Sequence, residues 1–109
     1  MADERRKNPR FSVNVEALVT HGAQRFRGQL KDICRDAVLV EVQADVPMGS
    51  ELAVALELPG TGGPLLVTGK VVRLARTEHG LDVAVLFADL TPAAETRIEF
   101  FIALQSTEA

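Results

Sequence analysis

Four cations fall within six residues, Arg5-Arg6-Lys7-Asn8-Pro9-Arg10, and Pro9 holds Asn8 extended, which keeps the stretch out of a helix. Such a segment cannot bury itself, and residues 1–10 read as a flexible basic arm. Guanidinium groups suit phosphate because their planar fork donates two parallel hydrogen bonds. They also stack on purine faces, which matters in a chain with no Trp and no Tyr. A solvated tail that aids solubility has the same composition, so the arm alone does not choose between the two.

A second polar cluster, Leu30-Lys31-Asp32-Ile33-Cys34-Arg35-Asp36-Ala37, carries a carboxylate, a thiol and a guanidinium at the rim of a tight turn, where a ligand can reach them. The plainer alternative is that Asp32 and Asp36 satisfy turn backbone and Cys34 is a small buried apolar residue.

Enzymatic readings fail on the same inventory. A Cys34 nucleophile needs His21 or His79 as base, and both histidines fall in predicted turns with no orienting pattern. The single cysteine makes no intramolecular disulfide and anchors no zinc site of the usual spacing. Gly60-Thr61-Gly62-Gly63 leads into a strand pattern rather than a helix, so it reads as a hairpin loop and not a phosphate cradle. The expectation is a non-enzyme with no catalytic residue, metal or cofactor.

The elements that must position these clusters follow from period-two alternation in six segments, which predicts an all-β sheet that closes on itself. Phe11, Val13, Val15, Ala17 and Val19 mark the first. In the second, Arg25 to Ile33, the side chains Arg25, Arg27, Gln29 and Lys31 point one way and Phe26, Gly28 and Leu30 the other. Val38 to Val42, Leu52 to Leu58, Leu65 to Arg76 and Leu81 to Phe87 supply the rest. Short connections favour an antiparallel meander. After Asp89 the period changes: Thr91 can cap a helix with Pro92 at its first position. Ala94, Ile98, Phe101 and Ile102 then form a helical stripe that lies on the sheet or covers a barrel mouth. Phe100 and Leu104 lie off that stripe, where they widen the core contact or meet another protein. Residues 105–109 read as a tail.

With 109 residues, 47% apolar and 25% charged, the chain has room for one domain. Its net charge of −3 hides a polarised chain: residues 1–35 carry eight basic and four acidic side chains, and the remainder four and eleven. The basic end points to an anionic partner, and the acidic body argues against a nucleic-acid coat. The polar N-terminus has no apolar stretch behind it, and the run Val83 to Ala88 is far short of the ~20 residues that span a bilayer. A soluble cytoplasmic protein is expected, with no membrane insertion.

Taken together, Arg6-Lys7-Asn8-Pro9-Arg10 and Asp32-Ile33-Cys34-Arg35-Asp36-Ala37 resemble the paired signature of PilZ domains, an RxxxR arm and a (D/N)xSxxG loop. The resemblance extends over about residues 5 to 104, through the strand order, Pro47-Met48-Gly49-Ser50, Gly69-Lys70-Val71-Val72-Arg73 and Val85-Leu86-Phe87-Ala88-Asp89-Leu90-Thr91-Pro92. It implies a six-stranded antiparallel β-barrel with one C-terminal α-helix that binds the bacterial second messenger cyclic di-GMP and passes the signal to a protein partner, in pathways that include motility. Residue by residue, Arg6 and Arg10 match the two arm arginines and Asp32 the Asp/Asn position. Cys34 stands where the family has Ser and Ala37 where it has Gly, while Arg5 and Arg35 lie beside the motifs.

Those departures carry a cost. A thiol is a weak hydrogen-bonding group, so losing a hydroxyl bond costs about 1 kcal/mol, and Ala37 adds ~1 to 2 kcal/mol if its backbone must be left-handed. The sum predicts binding weakened roughly 30- to 150-fold. The leading expectation is a cyclic di-GMP receptor or adaptor. The alternative is an adaptor of the same fold that has lost nucleotide binding and works through protein contacts. A barrel that binds nucleic acid ranks third, for want of aromatic platforms.

Overall fold

In the computed structural model, which describes residues 11–60 and 62–106, alternating burial converts the sequence pattern into six strands and a helix. These are β1 (Phe11–His21), β2 (Gln24–Ile33), β3 (Ala37–Val42), β4 (Glu51–Leu56), β5 (Leu65–Arg76), β6 (Leu81–Ala88) and α1 (Pro92–Ser106). The basic arm, with Arg5, Arg6 and Arg10, lies outside the described residues, as do residues 107–109. The helix therefore runs two residues into the segment expected to be tail.

The strands close into a barrel in the order β1-β2-β3-β6-β5-β4, every neighbouring pair antiparallel. Closure removes the exposed edges that an open sheet would offer to another chain. Inward side chains such as Val19, Leu30, Val40, Val54 and Val83 are each at most 1% exposed and fill the interior. The six strands and the helix are those the sequence predicts, but the expected simple meander is corrected. Two three-stranded meanders, β1-β2-β3 and β4-β5-β6, join through β3–β6 and β1–β4 pairs. The connection 43–50 does not reverse beside β3; it crosses the barrel end, burying Val46 in the core and bonding to β5 through Gly49 N–H to Val71 O (3.0 Å) and Val71 N–H to Ser50 O (2.9 Å). Burial of Val46 decides the path, and alternation within strands carries no information about it.

The other end is closed by α1. Thr91 caps it: the Ala94 amide donates to Thr91 Oγ1 at 3.1 Å. Ala94, Ile98 and Phe101 are buried and Ile102 packs partly against the same cluster. Arg97 donates to the carbonyls of Gly63 and Pro64 in the β4–β5 connection. No helix among the described residues is long and apolar enough to cross a membrane.

Candidate functional site

The α1 end of the barrel also carries the second polar cluster, the turn between β2 and β3, and the first described residue of β1 lies beside it. Phe11, the residue that follows Arg10 in sequence, pairs with Ile33, and Ser12 pairs with Asp32. The basic arm therefore joins the barrel directly opposite the Asp32-to-Ala37 turn. Bulges interrupt the register between Ser12 and Val15 in β1 and between Leu30 and Asp32 in β2. Such bulges re-aim side chains beside binding sites.

Within the turn, the Cys34 amide donates to Ala37 O at 2.9 Å and the Phe87 amide to Asp36 O at 2.9 Å. Cys34 is 6% exposed, and its thiol donates to Asp36 Oδ1 at 3.2 Å. The sequence set a rim thiol beside a buried one, and the structure selects the buried one. Burial first, then the neighbouring Asp36 carboxylate, pushes the thiol above its ordinary value of 9.0. The sign follows: a thiol held neutral in the native state costs nothing until the unfolded chain ionises, so stability from this source is present below pH 9 and declines above it. Native protein is accordingly expected to react slowly with iodoacetamide at pH 8 while urea-unfolded protein reacts fast, and Cys34→Ala should flatten the loss of stability above pH 9. Rapid alkylation of the native chain would contradict this packing.

Arg35 points away from the turn, and its guanidinium meets Glu99 of α1 at 2.8 Å. Both side chains are more than half exposed, so the pair is worth at most about 1 kcal/mol. A recess of about 240 Å³ between turn and helix is lined by Arg35, Asp36, Glu95, Ile98 and Glu99. Three carboxylates there make it a poor seat for an anion.

Ala37 begins β3, half-buried, in register with Leu86 of β6. Its φ is not positive, Asp89 at +54° being the only such non-glycine residue among those described. The left-handed penalty expected at Ala37 is absent. Asp32 pairs with Leu39 of β3 and is half-buried. The structure thus brings Asp32, Cys34, Arg35 and Ala37 to one end of the barrel, and separates their roles: Cys34 faces inward and Arg35 faces the helix. A larger recess of about 580 Å³, lined by Glu16, Arg27, Gln29, Glu41 and His79 among others, contains none of the candidate ligand-binding residues.

A family model described as the PilZ domain matches residues 4–104, almost the whole chain and both clusters. The chain belongs to the PilZ domain family. Among solved structures, this PilZ chain is similar to the PilZ domain of YcgR from Escherichia coli with c-di-GMP, at 15% identity and a TM-score of 0.74, covering 95% of this chain and 93% of that one. It is similar too to the Bacillus subtilis inhibitor of motility MotI/DgrA, at 12% identity and a TM-score of 0.80, covering 96% of this chain and 53% of that one. The PilZ domain of CeSA from a cellulose-synthesizing bacterium matches at 14% identity and a TM-score of 0.65, covering 92% and 97%. The chain spans about half the length of several of these proteins, MotI/DgrA and full-length YcgR included. No curated protein matches it in sequence.

Proposed function

We propose that this PilZ chain is a cytoplasmic, non-enzymatic receptor for cyclic di-GMP that signals to a protein partner. Arg6 and Arg10 grip the ligand's phosphates and stack on guanine, Asp32 accepts from a guanine edge, and Ala37 lies against the ligand. Arg5 adds charge, Cys34 holds the turn from inside, and Arg35 stays with Glu99 until the ligand's charge competes for it. The observation that carries this reading is the Phe11–Ile33 pairing, because it delivers the arm to the turn whatever path the arm itself takes. A ligand that orders the arm across the barrel changes the surface offered to a partner.

Cys34 supports a second reading, an adaptor that binds no nucleotide, since its thiol hydrogen serves Asp36 and the turn offers no hydroxyl. Magnitudes favour the first. With no left-handed strain at Ala37, the remaining deficit is one hydroxyl bond, about 1 kcal/mol, or roughly fivefold in affinity.

Titration calorimetry of the folded chain with cyclic di-GMP separates the two readings. Saturable binding with low-micromolar affinity supports the receptor. Absence of heat up to high micromolar ligand, together with tight binding after Cys34→Ser and Ala37→Gly, establishes the adaptor instead.

A further inference from the structure

The two ends of the barrel are not equally closed. At the end away from α1, β2 pairs with β1 from Gln24 onward, whereas its ladder with β3 starts only at Gly28, opposite Val42. Residues Gln24 to Arg27 therefore have a strand neighbour on one side and, among the described residues, none on the other. The cause is the path of 43–50. The chain leaves β3 at Val42 and crosses to β5, where Gly49 and Ser50 bond to Val71 and Asp45 meets Arg76 at 3.4 Å. It is tied to the β5 edge and leaves the β2 edge bare. The recess of about 580 Å³ stands in the space so vacated, with Phe26, Arg27 and Gly28 on one side and Gln43, Ala44 and His79 on the other.

Backbone, wall and charge all suit this edge to another strand. The two-residue turn Gly22-Ala23 makes His21 and Gln24 the first hydrogen-bonded pair of the hairpin. The alternating pattern then turns both the N–H and the C=O of Arg25 away from β1, toward the recess. The opposite wall is held in place: Gln43 Nε2 donates to the His79 carbonyl at 3.2 Å, and the Thr77 hydroxyl to Glu41 at 2.7 Å. Phe26 packs on the core from the inner face yet stays half-buried, so the gap has an apolar side. On the outer face Arg25 and Arg27 are exposed, and the Arg27 contact with Glu16, at 3.6 Å between side chains more than half exposed, is a weak one.

We infer that the β2 edge from Gln24 to Arg27 is the docking site for an extended segment of a partner protein, added as a further antiparallel strand in which acidic and apolar residues alternate. Main-chain hydrogen bonds supply the attachment and alternate side chains the selectivity. Residues directly opposed on antiparallel strands face the same side. Those opposite Arg25 and Arg27 are therefore acidic, and the one between them, opposite Phe26, is apolar and covers the half-buried ring. Glu16 and Glu41 also line the recess, on the side toward Gln29 with which both are in register, so the acids of the segment lie toward the Gly22-Ala23 turn. A second copy of this chain fits badly: two such edges paired antiparallel set arginine against arginine, and like charges directly opposite are destabilising. The nucleotide reading leaves the outward arginines of β2 without a role. This assignment gives them one at the end of the barrel away from the Asp32-to-Ala37 turn, and it holds for a receptor and for a nucleotide-free adaptor alike.

The test is an array of octapeptides in which Asp or Glu alternates with Val, Ile or Phe, beside a set with Lys or Arg in the acidic positions, probed with the full chain in the absence of nucleotide. The tightest acidic peptide is then titrated by fluorescence anisotropy against the parent, Arg25→Ala/Arg27→Ala, and Lys70→Ala/Arg73→Ala, which removes equal charge elsewhere. All four side chains are exposed, so both variants should melt with the parent. The expected result is at least a tenfold preference for the acidic set, at least a tenfold loss for Arg25→Ala/Arg27→Ala, and a change of less than twofold for the control. Strand addition further predicts that N-methyl groups on the peptide amides facing β2 abolish binding, while N-methyl groups on the alternate amides leave it nearly intact. Equal effects of the two methylation registers, or no acidic peptide bound at about 1 mM, would mean that the arginines only blunt the edge and would overturn the proposal. A free chain that sediments as a dimer and becomes monomeric on Arg25→Pro, which removes the outward N–H, would overturn it in favour of a second copy.

Discussion

Replacing Arg6 and Arg10 together with alanine should reduce affinity for cyclic di-GMP by roughly 10²- to 10⁴-fold while leaving the thermal midpoint of the free protein unchanged. Hydrogen bonds to charged groups contribute about 1.5 to 3 kcal/mol each. Two arginines on two phosphates therefore supply roughly 3 to 6 kcal/mol, and each 1.4 kcal/mol is a decade of affinity. The two losses need not add, since both residues act on one ligand. Stability should be indifferent because the barrel closes with residues 11–88, and the arginines precede it. Lys7→Ala removes a like charge from between them and should cost far less, because an ammonium has no planar fork to match phosphate. Calorimetry on the three proteins gives the comparison. Equal losses for Lys7→Ala and for the arginine pair would mean that the arm acts only as diffuse charge.

How much of this was legible in the sequence depends on the physical range of each signal. Alternation is local, so β2 with Arg25, Arg27 and Gln29 outward and Leu30 buried was readable from its own residues, whereas Ile33 is buried against that alternation because of the bulge between Leu30 and Asp32. So was the cap at Thr91, set by side-chain chemistry within four positions. The crossing of 43–50 over the barrel end was not readable, since it depends on Val46 finding space among strands distant in sequence. The same holds at the candidate site. Asp32 and Ala37 are neighbours in one short turn, whereas Leu86 and Lys70 come beside Ala37 only through β3–β6 and β6–β5 register. A one-residue slip in that register would have put Leu86 inside and Lys70 elsewhere. Arg35 shows the reverse case: it sits beside the turn in sequence, yet Glu99, 64 residues away, takes its guanidinium.

Phe101→Ala should be the most destabilising single truncation in α1, at about 3 to 5 kcal/mol. Phe101 is 1% exposed and is among the largest fully buried side chains, and with Ala94 and Ile98 it seals the barrel end that carries the turn. A 15-residue helix is marginal on its own in water, so its helicity depends on that packing. Against a total stability of about 5 to 15 kcal/mol, the loss lowers the midpoint by at least about 12 °C. Phe100 supplies the control: the same residue type on the same helix, 50% exposed, whose truncation should cost under about 1 kcal/mol. Urea unfolding followed by circular dichroism reads both. The two phenylalanines were separable in sequence only by helical phase, so equal costs for Phe100→Ala and Phe101→Ala would refute the orientation of α1 itself. That orientation also sets the reach of Glu99 to Arg35, so a helix loosened by Phe101→Ala should release the turn as well. The arginine variants of the arm lose ligand and keep the fold, whereas Phe101→Ala should lose both, because one helix closes the core and borders the site.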